Sequence, residues 1–200
     1  MRITGGEAAR RILKVPKGLD VRPTPDRVKQ AVFNSLGERI LGARVLELFA
    51  GSGALSLEAL SRGCATAVCI EKSSRHAEFI RRNAAAAGYG PAVFHARVQD
   101  VFPALHQIAA TGERFDLILA DPPYGEKNVG RRSTSLAQKL MDDPNLPQVL
   151  AADGLLILGH AKRDTLAIPD AWRELKVLTH GDNVMRFLQP RRPANPSPTA

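Results

Sequence analysis

From Ala43 to Leu188 short apolar runs alternate with helical stretches, and this alternation constrains the fold more than any other feature of the chain. Arg44-Val-Leu-Glu-Leu-Phe49 reads as a strand, Ser52 to Arg62 as a helix ended by Gly63, and Thr66-Ala-Val-Cys-Ile70 as a second strand. A helix from Ser73 to Ala87 closes at Gly88, and Ala92 to Ala96 is a third strand. Val101 to Ala110 is helical, and Phe115 to Ala120 is a fourth strand. A polar loop over 125–135 and short helices over 136–151, broken at Pro144 and Pro147, precede a fifth strand at Leu155–Leu158. Trp172–Leu178 and Asn183–Leu188 form a last pair joined by a turn at Gly181-Asp182. Strands separated by helices pair in parallel rather than as hairpins. The expected fold is therefore α/β: an open, mostly parallel sheet with helices on both faces.

Residues 1–42 precede this pattern as a small basic extension. Gly5-Gly6 supply a turn in a short hairpin or irregular arm over 1–20, with Arg10–Val15 as one strand. Thr24 is the expected cap of a first helix running from Pro25 to Ile40. Val28, Ala31, Val32, Leu36 and Ile40 share its apolar face, with Arg27 and Lys29 off it. Residues 43–189 form the main domain, and the proline-rich tail 190–200 is expected to be disordered.

Charge divides along the same lines. Residues 1–42 hold nine Lys/Arg against four Asp/Glu, whereas 43–189 hold seventeen against sixteen. A basic segment on a near-neutral domain suits a polyanion such as nucleic acid. Arg10, Arg11, Lys14, Arg22 and Arg27 are the candidate phosphate contacts. No apolar run approaches the roughly 18–20 residues of a membrane span, and the N-terminus lacks the apolar stretch of a secretory signal. Cys64 and Cys69 have no metal-ligand spacing, so neither metal nor membrane is expected, and a reducing cytoplasm fits best.

In such folds ligands bind beyond the carboxyl ends of the strands. Gly51 and Gly53 follow the first strand and let the backbone turn sharply near a ligand. The pattern is Gly-x-Gly-x-x-Ser, without the third glycine of a dinucleotide fingerprint. Glu47 would repel a pyrophosphate but pair with a cationic amino-acid group, directly or through water. Glu71 after strand two suits ribose hydroxyls; Asp100 after strand three suits an adenine amine, with the Val101 N–H donating to a ring nitrogen. Together they describe a nucleoside joined to an amino acid without phosphates, which matches S-adenosylmethionine. After strand four comes Asp121-Pro-Pro-Tyr124, a stiff arch offering a carboxylate, carbonyls and a ring side by side. Asp121 and the Pro122 carbonyl can accept both hydrogens of an exocyclic amine while Tyr124 stacks on its base.

The chain closely resembles the bacterial 16S rRNA guanine-N2 methyltransferases of the small subunit. The resemblance is carried by Met1-Arg-Ile-Thr-Gly-Gly6, Arg22–Val28, Val45-Leu-Glu-Leu-Phe-Ala-Gly-Ser-Gly-Ala-Leu55, Leu57–Gly63, Ile70-Glu-Lys72 and Asp121–Tyr124. It implies a Rossmann-like domain whose seven-stranded sheet has an antiparallel last strand, with S-adenosylmethionine as methyl donor. It further implies methylation of one guanine N2 in the 16S rRNA of small ribosomal subunit particles. Cofactor contacts are then implied at Glu47, Phe49, Ala50, Gly51, Ser52, Gly53, Glu71, Lys72, Asp100 and Val101, and target-base contacts at Asp121, Pro122 and Tyr124. Glu47 replaces the commoner aspartate, and strand five ends in Gly159-His160 where an acidic residue is expected. His160 is assigned no role. Arg22 and Thr24 are alternatively placed to help close the active site, and Lys127, Arg131 and Arg132 to form a mobile lid. A monomer is expected. The competing readings are a DNA adenine-N6 or cytosine-N4 methyltransferase, a nicotinamide-dependent oxidoreductase, and a non-catalytic ribosome-assembly factor. Duplex-DNA methylation, NAD binding, and particle binding without turnover would respectively distinguish them.

Overall fold

The structure, a computed structural model, describes residues 1–15, 24–125, 127–128 and 131–191. Seven strands form one sheet: β1 (Arg44–Leu48), β2 (Thr66–Glu71), β3 (Phe94–Val98), β4 (Phe115–Ala120), β5 (Leu150–Ala161), β6 (Trp172–His180) and β7 (Asn183–Pro190). Their order is β3-β2-β1-β4-β5-β7-β6. The first five pair in parallel, and β7 lies between β5 and β6, antiparallel to both. The helices are α1 (Asp26–Leu36), α2 (Ala54–Ser61), α3 (Ser74–Ala87), α4 (Val101–Thr111) and α5 (Leu136–Asp142). This is the expected Rossmann-like architecture, with the Gly181-Asp182 turn joining β6 to β7.

Alternation along the strands sends successive side chains to opposite faces. Val45, Leu117, Leu119 and Ile157 join one core with α1–α3; Leu46, Leu48, Ile118, Leu156 and Leu158 join another with α4 and α5. Strand five is longer than its apolar run because Leu150 already pairs with Phe115 before a register shift. The first helix stops at Leu36, since Gly37 turns the chain with φ +53° into a 3₁₀ turn, Gly37–Ile40.

Every residue of α2 is buried, polar ones included. A helix buried all round needs a cover on its outer side, and residues 1–15 supply it. Ile3, Ala8 and Leu13 enter the first core, while Thr4 donates from N and Oγ1 to Glu58 at 2.7 and 2.6 Å. The Ala8 N–H donates to Ser61 Oγ at 2.9 Å, and Ser61 Oγ donates to the Gly5 carbonyl at 2.6 Å. The expected strand over Arg10–Val15 is reduced to one antiparallel bridge, Arg2 with Ile12, because Arg10 takes a left-handed turn at φ +72°. The described residues of the stretch 1–42 thus share a core with the main domain.

Lys29 departs from its expected place off the apolar stripe. It is fully buried, with Nζ donating to the Arg2 carbonyl and lying 3.3 Å from Asp26 and 3.6 Å from Glu58. Arg62 Nε closes the group on Glu58 at 2.8 Å. Buried charges persist when each has opposite charge and hydrogen bonds in reach, and this cluster provides both.

Candidate active site

Towards their carboxyl ends, four parallel strands stand level with one another. Ile70 pairs with Leu48, Leu48 with Ala120, and Ala120 with Leu158. The next residues are Glu71, Phe49, Asp121 and Gly159, so the glycine loop and the proline arch leave adjacent strands side by side.

Phe49, Gly51 and Gly53 all have positive φ, at +56°, +55° and +71°. Such a backbone is uncommon for a bulky residue like Phe49. Its ring packs edge-on against Phe102 of α4, with centroids 6.4 Å apart and planes at 71°. Gly53 occupies the N-cap position of α2 and has no side chain to offer its open amides. Glu47 reaches across from β1 instead, accepting from the Leu55 and Ser56 N–H at 3.3 and 2.9 Å. The helix amides carry partial positive charge and suit a carboxylate. Burial pushes the Glu47 carboxyl up, opposed by these hydrogen bonds and that from Cys69. Buried and engaged in this way, Glu47 shapes the loop rather than presenting an open carboxylate.

Glu71 repeats the device on β2. One oxygen accepts from the Gly51 N–H and the other from the Ser73 N–H, both at 2.8 Å, and His76 Nδ1 lies 3.4 Å away. Ala50 and Ser52 are buried, Gly51 half-buried, and Lys72 exposed. Asp100 is exposed and caps α4, accepting from the Phe102 N–H at 3.1 Å, while Val101 beside it is buried. Two carboxylates therefore occupy amides of the loop and helix start that would otherwise cradle an anion. A pyrophosphate would meet negative charge there, which disfavours a dinucleotide.

In the arch Asp121 and Tyr124 are half-buried and Pro122 is buried. The Tyr124 hydroxyl donates to Asn183 Oδ1 on β7, fixing the ring. Thr24 does not cap α1, which has no side-chain cap and an N-cap at Pro25. Its hydroxyl donates to Asp121 Oδ2 at 2.5 Å. Gly159 makes room for the same carboxylate, since a Cβ there would lie 2.3 Å from Asp121 Oδ1. His160, next along the strand, points to the opposite face. It is buried, with Nε2 accepting from Arg186 Nε and Nδ1 facing the Ala161 carbonyl, both at 2.9 Å. Burial and the Arg186 charge hold its pKa below the usual 6.5.

Arg10, Arg11, Lys14 and Arg27 are solvent-exposed, and Arg22 lies outside the described residues. Arg11 Nη1 donates to the Ala86 carbonyl at 2.6 Å. The Lys14 backbone exchanges two 2.9 Å hydrogen bonds with the Asn83 side chain, whose Nδ2 also reaches the Ser52 carbonyl at 3.4 Å. The basic segment is thus tied to the glycine loop. Lys127, Arg131 and Arg132 are exposed, and Arg132 Nη2 is held by Asp142 at 2.7 Å. Among the described residues no helix is long and apolar enough to cross a membrane, and no group of three or more His, Cys, Asp or Glu could hold a metal ion.

A family model described as conserved hypothetical protein 95 matches residues 1–189. YlbH of Bacillus subtilis is 35% identical over 162 residues, 80% of this chain and 82% of that protein. Ribosomal RNA small subunit methyltransferase D of Haemophilus influenzae is 29% identical over 189 residues, 94% of this chain and 93% of that protein. The chain belongs to this methyltransferase D family. A hypothetical protein from Thermus thermophilus has the same fold, with TM-score 0.75 and 30% identity over 94% of this chain and 99% of that one.

This family member also brings Asn83, Phe102 and Asn183 to the site, three residues that sequence reasoning passed over. Each acts on a partner far along the chain or in another element, and no local pattern marks them.

Proposed function

We propose that this protein transfers a methyl group from S-adenosylmethionine to the exocyclic N2 of a guanine in 16S rRNA of the small ribosomal subunit. The reading rests above all on the Leu48–Ala120 pairing, which sets the glycine loop and the Asp121 arch side by side. A phosphate-free nucleoside carrying a cationic amino acid fits the first, and a planar base with an exocyclic amine fits the second. Family membership and the names of the curated relatives supply rRNA as the acceptor class.

When bound, the donor supplies a methyl carbon activated by its sulfonium. Glu71, Asp100 and the Val101 N–H would hold the nucleoside, and Phe49, Phe102 and Lys72 would line its site. Glu47 keeps the loop in shape. Asp121 and the Pro122 carbonyl accept from the guanine amine, favouring a pyramidal nitrogen with its lone pair aimed at the methyl. Asp121 also stabilises positive charge developing on that nitrogen. Tyr124, braced by Asn183, stacks on the base. Much of the acceleration then comes from positioning. Arg10, Arg11, Lys14, Arg22 and Arg27 contact phosphates of a loop or flipped-out base. The protein acts as a monomer in the cytoplasm.

The test is transfer of labelled methyl from S-adenosylmethionine to small subunits from a strain lacking this gene, followed by nucleoside analysis. N2-methylguanosine in 16S rRNA is expected; N6-methyladenine or N4-methylcytosine in a DNA control instead would replace the acceptor. Asp121→Ala should abolish transfer while donor binding stays within a few-fold.

A further inference from the structure

We infer that Thr24 is a positioning residue for the Asp121 carboxylate, so that the N-terminal segment completes the active site as well as contacting RNA. The inference rests on the reading of Asp121 as the amine acceptor. Thr24 is 9% exposed, and its hydroxyl donates to Asp121 Oδ2 at 2.5 Å across 97 residues of chain. Threonine before a helix ordinarily caps it, yet here α1 starts at Asp26 without any side-chain cap. The hydroxyl is directed to the carboxylate in place of the helix.

An aspartate carboxyl rotates over a broad χ2 range. Here it is confined from two sides. Oδ1 lies in the space left by Gly159, and Oδ2 is held by Thr24. A hydroxyl bonded to a carboxylate is a charge-assisted pair, stronger and more directional than a neutral one. With its plane fixed, the carboxylate keeps one orientation before an amine arrives, and little reorganisation remains during the reaction. Residues 1–15 are anchored in turn, by Thr4 on Glu58 and by Lys14 on Asn83. The hydroxyl thus comes from the same N-terminal part of the sequence, residues 1–42, that carries Arg10, Arg11 and Lys14.

The experiment compares Thr24→Val, which keeps the shape and removes the donor, with Thr24→Ser, which keeps the donor. Native protein is assayed on small subunits and on duplex DNA, and the variants on whichever acceptor it labels. Loss of the guanine-N2 reading thus leaves the comparison intact. Thr24→Val should lower kcat about 10- to 100-fold, the range for a hydrogen bond to a charged group. KM for S-adenosylmethionine and for the acceptor should stay within about threefold, and Thr24→Ser should restore most of kcat. Thermal melting confirms that each variant is folded, with Thr24→Ala as a second donor-free variant. A donor-free variant within twofold of native turnover would overturn the inference. So would a serine variant as impaired as the valine one, or a loss confined to KM.

Discussion

Gly159→Ala is the sharpest perturbation of the site, because it adds one methyl group at a known distance from the proposed amine acceptor. Gly159 lies within β5, and its φ is outside the left-handed range, so alanine fits the backbone. The added Cβ would lie 2.3 Å from Asp121 Oδ1, 2.9 Å from its Cγ and 3.1 Å from Met185 Sδ. Carbon contacts settle near about 3.5 Å, so the carboxylate must retreat by roughly 1 Å. A misplacement of that size can lower turnover on the order of 100-fold. Overpacking should cost about 1–3 kcal/mol, partly offset by about 0.5–1 kcal/mol because alanine loses less entropy in a strand. The melting temperature should therefore fall by only a few degrees, at roughly 2–4 °C per kcal/mol for a chain of this size. Single-turnover methyl transfer, donor binding by calorimetry and thermal melting together make the test. The expected result is a large loss of turnover with donor affinity nearly unchanged. Turnover within threefold of native would refute the view that Asp121 needs the space Gly159 leaves.

Glu58→Ala removes the carboxylate shared by Lys29, Arg62 and Thr4. Breaking such a buried cluster should cost about 3–5 kcal/mol, read as a lower denaturant midpoint; a change under 1 kcal/mol would mean that the cluster relaxes freely. His160 has its pKa lowered by burial and by Arg186, with Asp164 acting the other way. Its contribution to stability should thus be complete above the ordinary value near 6.5 and be lost as pH falls below it. The difference in melting temperature between pH 7 and pH 5 should shrink in His160→Gln, and an unchanged difference would clear His160 of that role. Burial pushes the Cys64 thiol up to about 12 and the Cys69 thiol well above its usual value. Alkylation at pH 8 should be slow for both until denaturant unfolds the chain, and rapid native labelling would contradict their burial.

Much of the scaffold was legible because its signals are local. The apolar runs at Val45–Leu48, Thr66–Ile70 and Phe115–Ala120 became strands, and Gly88 closed α3 where expected. The edges of elements were less legible. The third strand is Phe94–Val98 rather than Ala92–Ala96, and strand five begins at Leu150, because pairing with a neighbour, not local pattern, sets where a strand starts. At the site, the residue types and their strand ends were readable, but the partners were not. Thr24 read as a cap or as a residue helping to close the active site, and Lys29 as lying off the apolar face, but neither partner was visible until the fold set Asp121 beside one and Glu58 beside the other.

The sequence by itself determined the alternation of strands and helices, the two glycines of the loop and the stiffness of Asp121-Pro-Pro-Tyr124, since periodicity and proline or glycine backbone limits act over a few residues. Only the tertiary structure decided that Glu47 would cap α2 in place of Gly53, that Gly159 would make room for Asp121, and that residues 1–15 would cover α2. A hydrogen-bonding group takes whichever complementary partner folding brings within about 3 Å. That choice depends on contacts between distant parts of the chain, which no local pattern encodes.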